Sequence, residues 1–265
     1  MILASASSTS LILTLLAALA YAWPALRGKS MRANSVHFWV IGAWIVHALA
    51  LLWSVAGDQP RFGFAPALSV TAWLVAAVYG VESQIFPQLQ TRWTLCALGT
   101  AAVLLAFLFP GPALPPSSSA WMPLHLALGV ASYGLFGTAV VHAWIMSVAE
   151  SRIRLAEDPH SGLPLLTLER LTYRFVGAGF VLLSATLVMG ILFSETVYGR
   201  AVRWDHKTVF SVLSWLTFAA LLIGRARFGW RGKRAARVLY TGSVFLLLAY
   251  VGSRFVLEVV LGRTT

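Results

Sequence analysis

Six histidines carry most of the chemistry open to this 265-residue sequence: His37, His47, His125, His142, His160 and His206. An imidazole can ligate a metal, move a proton or simply hold a hydrogen bond. Two of the six stand out by their neighbours: Trp121 precedes His125, and Trp204 and Asp205 precede His206. The single cysteine, Cys96, permits no intramolecular disulfide, C-x-x-C redox centre or cysteine-based metal site. The sequence has no phosphate-cradling Gly-rich loop, nucleophilic triad or clustered carboxylate pair, so a hydrolase or an ATPase is unsupported.

The elements that must present these side chains follow from composition. Hydrophobic residues make up 58% of the chain and charged ones 11%, with a mean hydropathy of +0.77. That excludes a soluble fold, because polar side chains are too few to cover a globular surface. The apolar residues fall in blocks of about 17–25, the length a helix needs to cross hydrocarbon. The expectation is an all-α integral membrane protein forming a single transmembrane domain over 1–265. Its eight spans run near 2–23, 36–56, 64–82, 93–109, 121–148, 175–194, 208–224 and 238–261. The first span lacks the basic leader of a signal peptide, and its cluster Arg27, Lys29 and Arg32 lies on the far side, so it reads as an uncleaved span. In the cytoplasmic stretch 149–174, Leu165, Leu168 and Leu171 suggest a short surface helix.

The net charge of +11 would suit a polyanion binder in a soluble protein. Sorted by gap, the basic residues give a different answer. The gaps after spans one, three, five and seven hold 14 Lys and Arg, and those after spans two, four and six hold 4. Excess positive charge marks the cytoplasmic side, which puts both termini outside.

This orientation brings His125, early in span five, and His206, just before span seven, to the same outer face. Two histidines distant in sequence at one face suit a planar metal cofactor with two axial imidazoles, and Trp121 and Trp204 could pack on a porphyrin. The competing reading is an aromatic belt with two wetted interfacial histidines. His47 sits near the middle of span two, where it could bind a second cofactor, relay protons or bond a neighbouring carbonyl. His142 lies in the inner part of span five, roughly 8 Å from His47 in depth at ~1.5 Å per residue, too far to share one iron. His37 lies at the cytoplasmic mouth of span two, and His160 lies in a solvated loop. Arg254 precedes Glu258 by one helical turn, as an internal ion pair or as a guanidinium for an anionic group in the outer pocket.

Several stretches resemble a known family. W-M-P-L-H-L-A-L-G-V-A-S-Y-G-L-F (Trp121 to Phe136), L-T-Y-R-F-V-G-A-G-F from Leu171, W-D-H-K-T-V-F-S-V-L-S-W-L (Trp204 to Leu216), F-G-W-R-G-K-R-A-A-R (Phe228 to Arg237) and A-Y-V-G (Ala249 to Gly252) come in the order found in the cytochrome c assembly (CcsA/HemX) proteins. The resemblance is strongest over 120–255. It implies a helical bundle that holds haem near the outer face, with His125 as the outer ligand and Trp204-Asp205 as the remnant of a tryptophan-rich motif. The chain departs from the pattern in four ways. The tryptophan run is cut to one residue, His206 replaces a proline, Ser253-Arg254-Phe255 follows Tyr250-Val251-Gly252 where a histidine is expected, and Gly224 stands near another missing histidine. These departures make it most similar to the short HemX- or YpjD-like branch.

The combined expectation is a haem-handling membrane protein without covalent bond-making activity of its own. His125 and His206 would ligate the iron, Trp204, Trp121 and Tyr133 would shape the pocket, and Arg254 would face the propionates. Haem would pass to, or be sensed for, a membrane or periplasmic partner in cytochrome maturation. The alternative is an accessory or regulatory subunit of another membrane complex without haem. A small-solute transporter is disfavoured, because no span has the paired Gly/Pro interruptions of a midplane site.

Overall fold

A lipid-facing backbone can satisfy its N–H and C=O groups only within a helix or a closed barrel, and this chain takes the helical solution. The computed structural model describes residues 8–27, 33–56, 61–85, 92–113, 121–154, 164–192 and 205–262. The helices are α1 (Ser8–Arg27), α2 (Ala33–Ala56), α3 (Phe64–Ile85), α4 (Arg92–Leu108), α5 (Trp121–Arg154), α6 (Leu165–Leu192), α7 (His206–Phe228) and α8 (Gly232–Leu247). Two π-helical turns, Leu248–Gly252 and Val256–Val260, carry the last helix onward. Seven of these stretches are long and apolar enough to span a membrane, and α4 is a shorter apolar helix. His160 and Trp204 lie outside the described residues.

The expected surface helix is instead the first turns of α6, which runs unbroken from Leu165 to Leu192. Leu168 and Glu169 are both buried there. The helix continues through Glu169 because the carboxylate meets two arginines: Arg225 Nη1 lies 2.6 Å and Arg231 Nε 3.3 Å from its Oε1. A paired carboxylate can be buried where a lone one cannot.

The chain forms two compact units. In the first, α1 packs on α2 and α4, and α3 packs on both of those neighbours. Its core is built from small side chains, Ala17, Ala18, Ala43 and Cys96, around Tyr21. Small residues let helices approach closely where lipid removes the hydrophobic drive to associate. Trp44 and Trp73 stack at 4.7 Å and 9°, and each indole N–H donates to the other residue's carbonyl at 3.1 Å. Arg254 onward belongs to this unit. There the Phe255 ring meets Phe64 edge-on at 5.3 Å, and the Glu258 carboxylate accepts from the Phe64 backbone at the start of α3.

In the second unit, α5 packs most extensively on α6, and α7 on α8. Phe136 of α5 and Phe218 of α7 stack face to face at 3.7 Å and 6°, both fully buried. A glycine backs each outer ring face. A Cβ at Gly179 of α6 would lie 3.2 Å from the Phe136 ring, and one at Gly242 of α8 would lie 2.8 Å from Phe218. One residue from each of four helices thus makes a single Gly–Phe–Phe–Gly sandwich.

The turn between α7 and α8 is equally specified. Gly229 caps α7 in the left-handed region at φ 63°, its N–H reaching the Arg225 carbonyl. Trp230 N–H bonds the Gly224 carbonyl at 3.1 Å, and the Trp230 ring occupies the space a side chain at Gly224 would need. Tyr173 donates its hydroxyl to the Trp230 carbonyl at 2.8 Å.

Overpacking such a site costs about 1–3 kcal/mol. Gly242→Ala is expected to lower the thermal unfolding midpoint of the detergent-solubilised protein, and Gly179→Ala to lower it less, in keeping with their 2.8 Å and 3.2 Å approaches. Equal and negligible shifts would remove the sandwich as a determinant of stability.

Candidate functional site

His125 lies one turn into α5 with its ring half-buried against α6. It interacts with the backbone of Thr186, and a Cβ at Gly190 would come within 3.5 Å of its Cε1. One turn further along α5, a Cβ at Gly129 would meet Thr186 Cγ2 at 3.7 Å. His125 and Gly129 therefore face Thr186 and Gly190, an i,i+4 pair against an i,i+4 pair. The Thr186 hydroxyl is turned back onto its own helix, donating to Leu182 at 2.8 Å.

His206 is the first residue of α7 and is exposed. Asp205 precedes it as the N-cap, at φ −87° and ψ 171°, and its carboxylate accepts from Thr208 N–H at 2.9 Å and Thr208 Oγ1 at 3.1 Å. Partial burial pushes the Asp205 carboxyl up. The Thr208 hydrogen bonds, with Lys207 and His206 nearby, outweigh that and hold it below the ordinary carboxylate value. Asp205, expected to belong to a cofactor motif, thus has a definite local task in starting α7.

Contacts along α6 bring both histidines to one end of the second unit. Glu169 pairs with Arg225, whereas Ser184, further along α6, accepts from Trp215 Nε1 at 2.8 Å. α6 and α7 are therefore antiparallel, and the start of α7 lies at the Gly190 end of α6, the same end that His125 packs against. Trp121 stands exposed at the start of α5.

Tyr133 lies deeper on α5. Its hydroxyl donates to the Leu246 carbonyl, just before the π-helical turn that contains Tyr250-Val251-Gly252. Within that region Ser253 Oγ returns to the carbonyls of Leu248 and Ala249, at 3.0 and 3.1 Å. A π turn leaves an α-helical pattern, often at functional sites, and no periodicity in this apolar stretch announces it.

The remaining candidates lie elsewhere. Arg254 belongs to the first unit and acts electrostatically on Glu258, one helical turn further on. His47 is fully buried in that unit with both ring nitrogens engaged: Nε2 with Ser69 Oγ at 2.8 Å, and Nδ1 with Tyr21 Oη at 3.4 Å. Its partners are hydroxyls on α1 and α3, which spacing along α2 could not reveal. His142 is buried in the second unit with its ring edge-on to Phe175 at 5.4 Å. His37 is hydrogen-bonded to Gln84 at 3.2 Å. Among the described residues no cluster of three or more His, Cys, Asp or Glu could hold a bare metal ion.

Residues 9–261 match the family described as Cytochrome C assembly protein. The chain belongs to this family. Its relatives include an uncharacterised 28.8 kDa protein of Azospirillum brasilense, 29% identical over 96% of this chain and 97% of the relative. They also include proteins named cytochrome c biogenesis protein CcsA, 22% identical in Prochlorococcus marinus over 86% of this chain and 83% of the relative. A third, the CcsA of Gloeobacter violaceus, is 25% identical over 79% of this chain and 80% of its own length.

Family membership gives the motif-bearing residues a common setting. Trp215 ties α7 to α6 through Ser184, and Ser214 ties α7 to α8 by donating to the Gly242 carbonyl at 2.9 Å. Gly229, Trp230, Arg231 and Gly232 form the α7–α8 turn. Most of the specific signal in this member therefore describes how the bundle is clamped, and His125 and His206 sit at the end that the clamps fix.

Removing an N-cap side chain costs about 1 kcal/mol. Asp205→Ala is expected to speed amide exchange in the first turn of α7, and Asp205→Asn to leave it near the wild-type rate. Because the Asp205 carboxyl is held below its ordinary value, its contribution is present above the unfolded-state value and is lost as pH falls through the folded one. Protection of Thr208 N–H should drop with acid in the wild type and not in Asp205→Asn.

Proposed function

We propose that this protein holds haem between His125 and His206, at the end of the second unit that faces outward from a bacterial inner membrane, and hands it to a partner in cytochrome maturation. The role in cytochrome c biogenesis rests on the family. The observation that carries the haem reading is the convergence of these two imidazoles, 81 positions apart in sequence, on one end of an antiparallel helix set.

The residues present suit such a group. When bound, haem would supply an iron that imidazole nitrogens can ligate, and His125 and His206 would hold it. His125 rests against the Thr186 backbone, the kind of support that orients a ligating ring. The absence of a side chain at Gly190 leaves the ring edge open at Cε1. His206 is exposed at the start of α7, and the Asp205 cap fixes where that start falls. Tyr133 sets the position of α8 through Leu246, and Trp121 offers an exposed aromatic face. Arg254 and His47 have interactions within the first unit.

Purified from haem-replete cells, the wild-type protein is expected to show a Soret band that His125→Ala/His206→Ala abolishes while the helical circular dichroism is unchanged. A colourless, folded wild-type protein would sink the haem reading and leave the accessory-subunit alternative. The orientation is tested separately: a reporter fused after Gly232 is expected to be active only in the cytoplasm, and activity outside would reverse it.

A further inference from the structure

The end of the second unit opposite the histidines is strongly basic, and its charges are unequally engaged. Arg225 and Arg231 are both drawn to Glu169, and Arg225 also lies over the Tyr173 ring at 4.8 Å. The Arg234 guanidinium sits 4.2 Å above Trp230. Arg227, Lys233 and Arg237 are exposed, and no carboxylate pairs with them among the described residues. Arg170 and Arg174 flank Glu169 and Tyr173 on the exposed side of α6 and add to the same end. The carboxylates recorded here are Glu169, already bridged, and Glu150, whose Oε1 lies 3.9 Å from where a Cβ on Gly232 would stand.

These cations are held on a shaped turn. Gly229 and Gly232 both take positive φ, at 63° and 54°, and Trp230 is seated against Gly224. Phe228 projects from the same turn at 73% exposure. The turn follows directly on a membrane-spanning helix, so its depth is that of lipid headgroups. Cations beside an exposed aromatic at that depth match a phosphodiester above acyl chains, whereas a soluble polyanion would give Phe228 nothing to enter.

We propose that this basic end, centred on Arg227, Lys233 and Arg237 with Phe228, binds the phosphate headgroup of anionic phospholipid. The turn selects charged over zwitterionic lipid in the annular shell, independently of whether haem is held at the other end.

The test is native mass spectrometry of the full-length, detergent-solubilised protein with equal phosphatidylglycerol and phosphatidylcholine. The wild type is expected to retain phosphatidylglycerol at least about fivefold over phosphatidylcholine, and Arg227→Gln/Lys233→Gln/Arg237→Gln to bring that ratio near one. Should the triple variant fail to fold, salt serves on the wild type, since about 1 M contracts screening to ~3 Å and should abolish the preference. A wild type that does not discriminate, a triple variant that keeps the full ratio, or a preference that survives high salt would each overturn the proposal. So would displacement of the lipid by equimolar inorganic phosphate, which would mark a plain anion site.

Discussion

The second unit depends on one packing event, the sandwich in which Gly179 and Gly242 bracket the stacked rings of Phe136 and Phe218. In lipid, apolar side chains gain nothing by leaving an apolar solvent, so association rests on close van der Waals contact and interhelical hydrogen bonds. Two flat rings between two bare backbones give dense contact and set the separation of all four helices at once. The hydrogen bonds of Trp215 to Ser184 and of Ser214 to Gly242 lie beside this layer and fix rotation as well as distance. Above and below it, the unit is free to carry chemistry at its ends. One end gathers imidazoles and the other gathers arginines around Glu169.

Much of this was legible in the sequence, for a physical reason. A span must be apolar along its whole length, so α1 to α8 announce themselves by composition, and each expected span coincides with a helix apart from its ends. α6 begins at Leu165, ahead of the span expected from residue 175, because the partners of Glu169 lie on another helix and in a turn that no local pattern connects to it. Asp205 was recognisable as an outlying polar residue just before an apolar run, which is what an N-cap looks like. The family motif around it points to cofactor binding instead. The hydroxyl partners of His47 were invisible, because Ser69 and Tyr21 are ordinary residues until the fold brings them together.

Buried polar groups in the two units follow a common rule with different solutions. An unpaired polar group in a membrane interior is costly. In the first unit His47 meets hydroxyls on two neighbouring helices, and Glu258 receives the backbone at the start of α3. In the second, Glu169 meets two guanidinium groups. Each arrangement accounts for a residue that a scan for ionisable groups at depth would flag as functional. Subtracting them leaves three histidines in the described part of the second unit, His125, His142 and His206.

The reciprocal pairing of Trp44 and Trp73 has a mechanical meaning for the first unit. Each indole reaches a mid-helix carbonyl on the other helix, and the rings are parallel. Sliding α2 along α3 by a single residue would separate both bonds and the stacked faces together, with no intermediate position that keeps any of them. The pair behaves as a detent with one notch. Shear, the small sliding of packed helices, is one way that proteins change shape, and at this interface the tryptophan pair opposes it. A rearrangement of the first unit must carry α2 and α3 as one piece.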